Sequence, residues 1–540
     1  MFDGRLPAGT RLPATRTLAA DLAISRGVVV EAYQRLGDEG LVNARTGAGT
    51  VVTAPAPLAG IRRPGTRSLG GRPAEGGAAG GRLGWGREDG DRVAGDRVAS
   101  GGTAGDRAAG DRPGWDRAAG DRAAGGRPGW DRAAGDRTAG DLAAGDRAAS
   151  GRLVGDRIAG ERLAASLRMP LPPPPGTELD LSPGVPDLSA FPRAAWLRAE
   201  RAVLDHAAAT DLSYGDPRGS APLRHELIRW LARTRGVQAD ADDVLVVGGV
   251  AQALALLAQA LRARGVDAVA VEDPGSRGAR DQLTHWGLRP IPVPVDAEGM
   301  RIDDLTGTGL DAVLLTPAHQ FPTGVVLGPR RRIALLAWVT AGRRLVIEDD
   351  YDAEHRYDRA PVAALQASAP DRVAYTGSTS KSLAPGMRLG WLIAPRGLRD
   401  DLIAAKHASD LGNPALPQLV VAHLLASGEY ERHLRNVRAR QRHRRDALLA
   451  GLREHLPEAR VEGIAAGLHL LITLPHLAGQ IDDTELARHV GATGIFVHPL
   501  SWHRQRPGPP GLVLGYAAQA PDRLREAGWR IAQAVNTFRP

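Results

Sequence analysis

From Leu179 onward the chain alternates short apolar runs with amphipathic stretches. The runs are DVLVVGG, AVAVED, AVLLTP, RLVIEDD, RVAYTGS and GWLIAP, and QALALLAQALRARG typifies the segments between them. Unbroken apolar runs suit strands covered on both faces. Their alternation with helical periodicity predicts an α/β domain built on a large, mostly parallel sheet. Beyond about residue 412 a long Arg-rich helix, Glu429 to Leu452, mixes with further strands, which predicts a smaller C-terminal α+β subdomain.

Residues 1–54 carry a different rhythm. A helix is expected from Thr15 to Leu22, with Leu18, Ala19 and Leu22 inward, followed by a turn near Ile24. Ser25 is placed to cap a second helix running to Glu39, whose apolar positions Val29, Ala32, Tyr33 and Leu36 fall at helical spacing. GLVNARTGAGTVV then reads as two strands about a Gly-containing turn, a wing. Pattern alone divides evenly between an α+β winged helix–turn–helix and a small structural subdomain.

Residues 55–176 are Gly, Ala, Asp and Arg with few large aliphatics, and RPGWDRAAGDR occurs at 112–122 and again at 127–137. Such a stretch buries too little apolar surface to offset chain entropy, and its alanines offer no face for solenoid stacking, so a disordered linker is expected. Its Asp and Arg nearly cancel, as in a spacer more than a basic arm. Trp85, Trp115 and Trp130 have no role in that reading, and LPPPPG at 171–176 closes the linker stiffly. Three regions follow: 1–54, 55–176 and 177–540.

Composition narrows the chemistry. The chain has 540 residues, a formal net charge of +8 and no cysteine. The missing thiols exclude disulfides, thiolate catalysis and Cys-ligated zinc, and fit a reducing compartment. The N-terminus lacks the apolar segment of a secretion signal, and no long apolar run predicts a membrane span, so a cytoplasmic protein is expected. Of 69 basic residues only Lys381 and Lys406 are lysines. Where arginine serves nearly every generic positive charge, a surviving lysine is a candidate for amine chemistry that arginine cannot perform.

TGSTSKSLAPGMRLGW (376–391) gathers Ser378, Ser380, Lys381 and Arg388 in one strand-to-loop segment. An amine beside hydroxyls and a guanidinium is what a phosphorylated aldehyde cofactor needs. RLVIEDDYDAEHRYD, ending a buried strand upstream, offers Asp349 or, on the opposite face, Asp350 as a carboxylate, and Tyr351 as a phenol. VVGGVAQALALL is strand, Gly turn and helix, so backbone N–H groups of Gly249, Val250 and Ala251 can cradle a phosphate. The acidic cluster lacks His or Cys at metal-ligand spacing, and no metal is expected.

The S-x-S-K-x-x-x-P-G-x-R-x-G pattern resembles fold-type I aminotransferases. The resemblance implies pyridoxal 5′-phosphate (PLP) on Lys381, Asp349 against its ring nitrogen, and Tyr351 near its ring hydroxyl. It also implies a homodimer, with Tyr214 of YGDPRG reaching the partner subunit's phosphate. TPAHQFPTG (316–324) is similar to the segment near the ring hydroxyl and carries His319–Gln320–Phe321 where the enzymes have asparagine. Two positions depart from the pattern. Ser276 stands where relatives place a ring-stacking aromatic, leaving Arg277 or another group to take that part. Val513 stands where amino-acid-binding relatives carry an arginine for the substrate carboxylate.

At the N-terminus, GRLPAGTRLPATR, LAxDLxxSR, EAYxRL and GxGT resemble the GntR-type winged helix. That resemblance implies DNA contacts by Arg16, Ser25, Arg26, Gly47 and Gly49. Arg26 would project from a helix N-terminus able to enter the major groove, and Arg16 would grip phosphate or a base edge. The family opens with a full helix before GRLP, whereas only Met1 to Asp3 precede it here, so that helix is expected upstream or is lacking. Together the two halves resemble MocR-type regulators of the GntR superfamily. The implied function is a DNA-binding transcriptional regulator sensing PLP or an amine or amino compound. The alternative is a PLP-dependent aminotransferase with a vestigial N-terminal domain.

Overall fold

The computed structural model describes residues 7, 9–22, 24–38, 42–45, 49–53, 173–357 and 362–538. The linker expected at 55–176 falls outside the described residues apart from its last four, as do its tryptophans and Gly47.

The N-terminal part has α1 (Thr15–Asp21), α2 (Arg26–Asp38), β1 (Val42–Arg45) and β2 (Gly49–Val52). β1 and β2 pair antiparallel, Val42 opposite Val52, and form the wing. The stretch ahead of α1 joins them: Leu12 N–H donates to Thr50 O and Val52 N–H to Thr10 O, both at 2.8 Å. Ser25 caps α2 weakly, its Oγ accepting from Val28 N–H at 3.4 Å. Ala19 and Val29 are buried as their spacing implies. Leu22 is not inward but 56% exposed, because α1 ends at Asp21 and the chain turns away before the next apolar position comes round. Ala32 is exposed as well.

The body opens with β3 (Leu179–Asp180), α3 (Arg193–His206) and α4 (Ala221–Arg235). The strands of its large sheet are β4 (Val244–Val247), β5 (Ala268–Asp273), β6 (Arg289–Asp296), β7 (Gly299–Met300), β8 (Ala312–Leu315), β9 (Leu345–Asp349), β10 (Val373–Ser378) and β11 (Gly390–Ile393). Between and after them run α5 (Val250–Ala263), α6 (Arg277–His285), α7 (Pro329–Ala341), α8 (Arg396–Asp410), α9 (Ala415–Ala426) and α10 (Glu429–His455). The eight strands lie in the order β4-β11-β10-β9-β8-β5-β6-β7. β10, β9, β8, β5 and β6 are mutually parallel, whereas β11 runs against both of its neighbours and β7 against β6.

Alternate residues of one strand feed two cores. Leu245 and Val247 join the helix layer of α5 and α8, while Val244 and Val246 join Trp230, Tyr375 and Trp391 on the other face. Burial on both sides is why these strands read as unbroken apolar runs.

The C-terminal subdomain adds β12 (Arg460–Glu462), β13 (His469–Thr473), α11 (Asp483–Ala492), β14 (Ile495–Phe496), β15 (His498–Pro499), β16 (Gly511–Gly515) and α12 (Pro521–Asn536). Its sheet, β12-β13-β16-β15, is antiparallel throughout. β3 pairs with β14, Leu179 opposite Ile495, so the chain enters the body through the small subdomain and then crosses to the large sheet. Among the described residues, no helix is long and apolar enough to cross a membrane.

Candidate functional site

Sheet register brings the scattered motifs together. Thr376 lies opposite Asp349, Ser378 opposite Gly390, and Gly390 opposite Val247. The carboxyl ends of β9, β10 and β4 therefore share one edge, where open α/β sheets present their ligand sites. Asp349 closes β9, the Lys381 loop leaves β10, and the Gly248–Gly249 turn leaves β4.

Lys381 is half-buried in that loop, and its Nζ donates to the Gly184 carbonyl at 2.6 Å. Burial lowers its pKa, while the carboxylates of Asp352 and Asp349 pull the other way. The long helix α10 braces the loop: Tyr430 Oη lies 2.7 Å from Ser382 Oγ, and His433 Nε2 is 2.7 Å from Ser382 O. Gly184 was not singled out from the sequence. β3 anchors its SPGVP segment, and a Cβ on Gly184 would stand 3.1 Å from the Lys381 amine.

Alternation along β9 separates the two aspartates. Asp350 turns away, where Arg235 Nε donates to its Oδ2 at 2.7 Å and Tyr375 Oη donates to the same oxygen. Asp349 lines a pocket with Glu272, Ser276, Arg280 and Thr316. Burial pushes the Asp349 carboxyl up to about 7, Asp350 and Asp352 add to the rise, and Lys381 opposes it. Glu272 is also pushed up to about 7 by burial, and accepts from Thr316 Oγ1 at 2.6 Å.

Tyr351 Oη lies 3.1 Å from His319 Nδ1, and that nitrogen is 2.9 Å from Asp352 Oδ2. Asp352 is a second residue the motif reading missed, although it stands in the same EDDYD run. Gly467 faces this pair so closely that a Cβ there would fall 2.1 Å from the imidazole. Beside it Phe321 meets His469 and His503, with ring centroids 4.9 and 5.0 Å apart.

The anion end is built from two elements. Gly249 caps α5 with φ 101°, a conformation that favours glycine, and the first-turn N–H groups of Val250 and Ala251 have no intrahelical acceptor. Arg388, itself left-handed at φ 49°, donates to the Gly248 carbonyl, and a Cβ on Gly249 would approach its guanidinium to 3.4 Å. Ser378 is buried beside the turn, and its Oγ accepts from Ser380 N–H at 3.4 Å. A half-buried amine, a carboxylate facing it and a cradle of N–H groups under a guanidinium match the donor set of a phosphorylated pyridine aldehyde.

Four other sequence-derived positions are Tyr214, Ser276, Arg277 and Val513. Tyr214 is 89% exposed and so stands free of its own chain. Ser276 caps α6, its Oγ accepting from Ala279 N–H at 3.2 Å, and Arg277 reaches Asp281 on its own helix at 3.6 Å. Val513 is fully buried against Leu471 and Leu500. In the N-terminal part Arg16, Ser25 and Arg26 are exposed, and Gly49 takes φ 83° beside the Arg11 side chain.

Comparison with known proteins agrees with this fold. Residues 177–504 match the family described as aminotransferase class I and II, and residues 2–52 match the bacterial regulatory proteins of the gntR family. The HTH-type pyridoxine biosynthesis transcriptional regulator PdxR of Corynebacterium glutamicum is 33% identical over 67% of this chain and 77% of its own. The probable rhizopine catabolism regulatory protein MocR of Rhizobium meliloti is 30% identical over 64% and 70% respectively. Among solved structures, the kynurenine aminotransferase of Pyrococcus horikoshii superposes with a TM-score of 0.62 at 27% identity, covering 70% of this chain and 94% of that one. The chain therefore belongs to the aminotransferase class I and II family, in the form taken by MocR-type transcriptional regulators, with a GntR-type helix–turn–helix ahead of the aminotransferase-like domain.

Proposed function

We propose that this is a cytoplasmic DNA-binding regulator whose aminotransferase-like domain holds PLP on Lys381 and senses PLP itself or an amine or amino compound. The observation that carries the reading is the sheet-edge site, in which Lys381 and Asp349 face one another beside the Gly249–Arg388 cradle, in a chain that also presents a helix–turn–helix. When bound, PLP supplies an electrophilic carbonyl and an electron-withdrawing ring. Lys381 would hold it covalently, Asp349 would face the ring nitrogen, and Tyr351 with His319 would face the ring hydroxyl. Gly249, Val250, Ala251, Ser378, Ser380 and Arg388 would take the phosphate. The exposed Tyr214 would complete the site of a second subunit in a homodimer, and the relative named for pyridoxine biosynthesis favours PLP as an effector.

Arg16, Ser25, Arg26, Gly47 and Gly49 would contact DNA. In a gel-shift titration on the protein's own promoter region, Arg26→Ala is expected to cost about 1–3 kcal/mol and to relax specificity at one position if Arg26 reads a base edge. Arg16→Ala should weaken binding as well. Unchanged affinity in both variants would sink the regulator reading.

The rival, an aminotransferase with a vestigial N-terminal domain, has Val513 against it. Without a guanidinium at that strand position a substrate carboxylate has no bidentate partner, and its reacting atoms are poorly oriented. Transamination of common amino acids is expected to be slow or undetectable. Turnover of about one per second or faster would favour the enzyme.

A further inference from the structure

The chain's second lysine is no surface residue. Lys406 lies in α8 with its side chain fully buried, and its Nζ donates to both oxygens of Asp410, at 2.6 and 2.7 Å. Asp410 does not stop there. Its Oδ2 accepts from Gln252 Nε2 at 2.6 Å, and Gln252 Oε1 accepts from the Gly248 N–H at 2.7 Å. Gly412 N–H also donates to Asp410, at 3.1 Å. An unbroken chain of polar contacts thus runs from the buried ammonium to the first glycine of the anion turn, whose own carbonyl receives Arg388.

We propose that Lys406 is a positioning residue for the phosphate cradle, fixing Asp410 so that Gln252 locks the Gly248–Gly249 turn in its anion-binding shape. The inference rests on the PLP reading above and assigns a role to residues that reading does not use. A lysine suits the task because a compact ammonium fits wholly inside the helix layer, where a planar five-donor guanidinium would need more room and more acceptors. Gln252 answers to the same logic. It stands on the first turn of α5, and its amide joins Asp410 to Gly248, so the turn is held through its side chain as well as by the helix.

A residue that merely anchors α8 would affect every ligand of the site alike. A residue that shapes the phosphate cradle would affect only ligands that carry phosphate. The test is therefore the ratio of affinities for PLP and pyridoxal, each titrated by its visible absorbance on the full-length protein, with the adduct mapped after borohydride reduction. Lys406→Met is expected to lower that ratio by about tenfold, the scale of one lost hydrogen bond to a charged group, while leaving pyridoxal capture at Lys381 unchanged. Gln252→Leu, which removes the link without burying a new gap, should lower the ratio similarly. The double variant should fall no further, since both changes cut one chain. Equal losses for both ligands, or an unchanged ratio in Gln252→Leu, would overturn the positioning role. If the wild type captures neither ligand at Lys381, the PLP reading falls first and takes this inference with it.

Discussion

Lys381→Ala is expected to abolish the visible band of the purified protein and to leave no borohydride-trapped adduct, whereas in Lys406→Met the adduct should still map to Lys381. The structure separates the two amines by their surroundings. Burial lowers the pKa of Lys406 as well, but its Nζ is committed to Asp410 at 2.6 Å, and that carboxylate opposes the fall. Among the described residues Lys381 Nζ has only the Gly184 carbonyl within hydrogen-bond distance, and burial lowers its pKa from the ordinary 10.5. The neutral amine is the nucleophile toward a carbonyl, so a depressed pKa increases its share near neutrality. The rate of PLP capture by the cofactor-free protein should therefore rise with pH and level off below pH 10.5, the ordinary lysine value. Capture that keeps rising through that pH would show Lys381 to be an ordinary amine. An adduct on Lys406 would overturn the site outright.

The large sheet was legible because its strands are buried on both faces, which leaves unbroken apolar runs such as VLVV and AVLL. Lys381 was legible because serines and an arginine crowd one short motif. What stayed hidden depends on partners distant in sequence. In α8 Lys406 continues the buried stripe of Leu398 and Leu402 at a spacing of four, but its link to the anion turn passes through Gln252, 158 residues from Asp410. Gly184 reaches Lys381 from 197 residues away, carried there by the pairing of β3 with β14. Leu22 fits a helical stripe in the sequence, yet α1 ends one residue before it. Periodicity shows which face is apolar; it does not show where a helix stops.

The choice between Asp349 and Asp350 shows the same limit, because alternation says only that they point to opposite faces. The structure places Arg235, 115 residues earlier, against Asp350 at 2.7 Å, with both side chains 1% exposed. Asp350→Ala would leave a guanidinium buried without its counter-charge, which is expected to cost about 3–5 kcal/mol of stability and to lower the melting temperature with or without PLP. Asp349→Asn should behave in the opposite way. Burial raises that carboxyl from 3.8 to about 7, so the cofactor-free fold holds its proton more tightly than the unfolded chain does. Such a group loses stability as pH rises from about 4 to 7, and the asparagine removes that loss. The cofactor-free Asp349→Asn protein should therefore be at least as stable as wild type at pH 7, while retaining PLP about ten- to a hundredfold more weakly for want of a charge facing the ring nitrogen. Thermal melts with and without PLP, beside a PLP titration of each variant, read both effects at once. Weak PLP retention in a stably folded Asp350 variant, with Asp349→Asn binding normally, would place the ring nitrogen on the other face of β9.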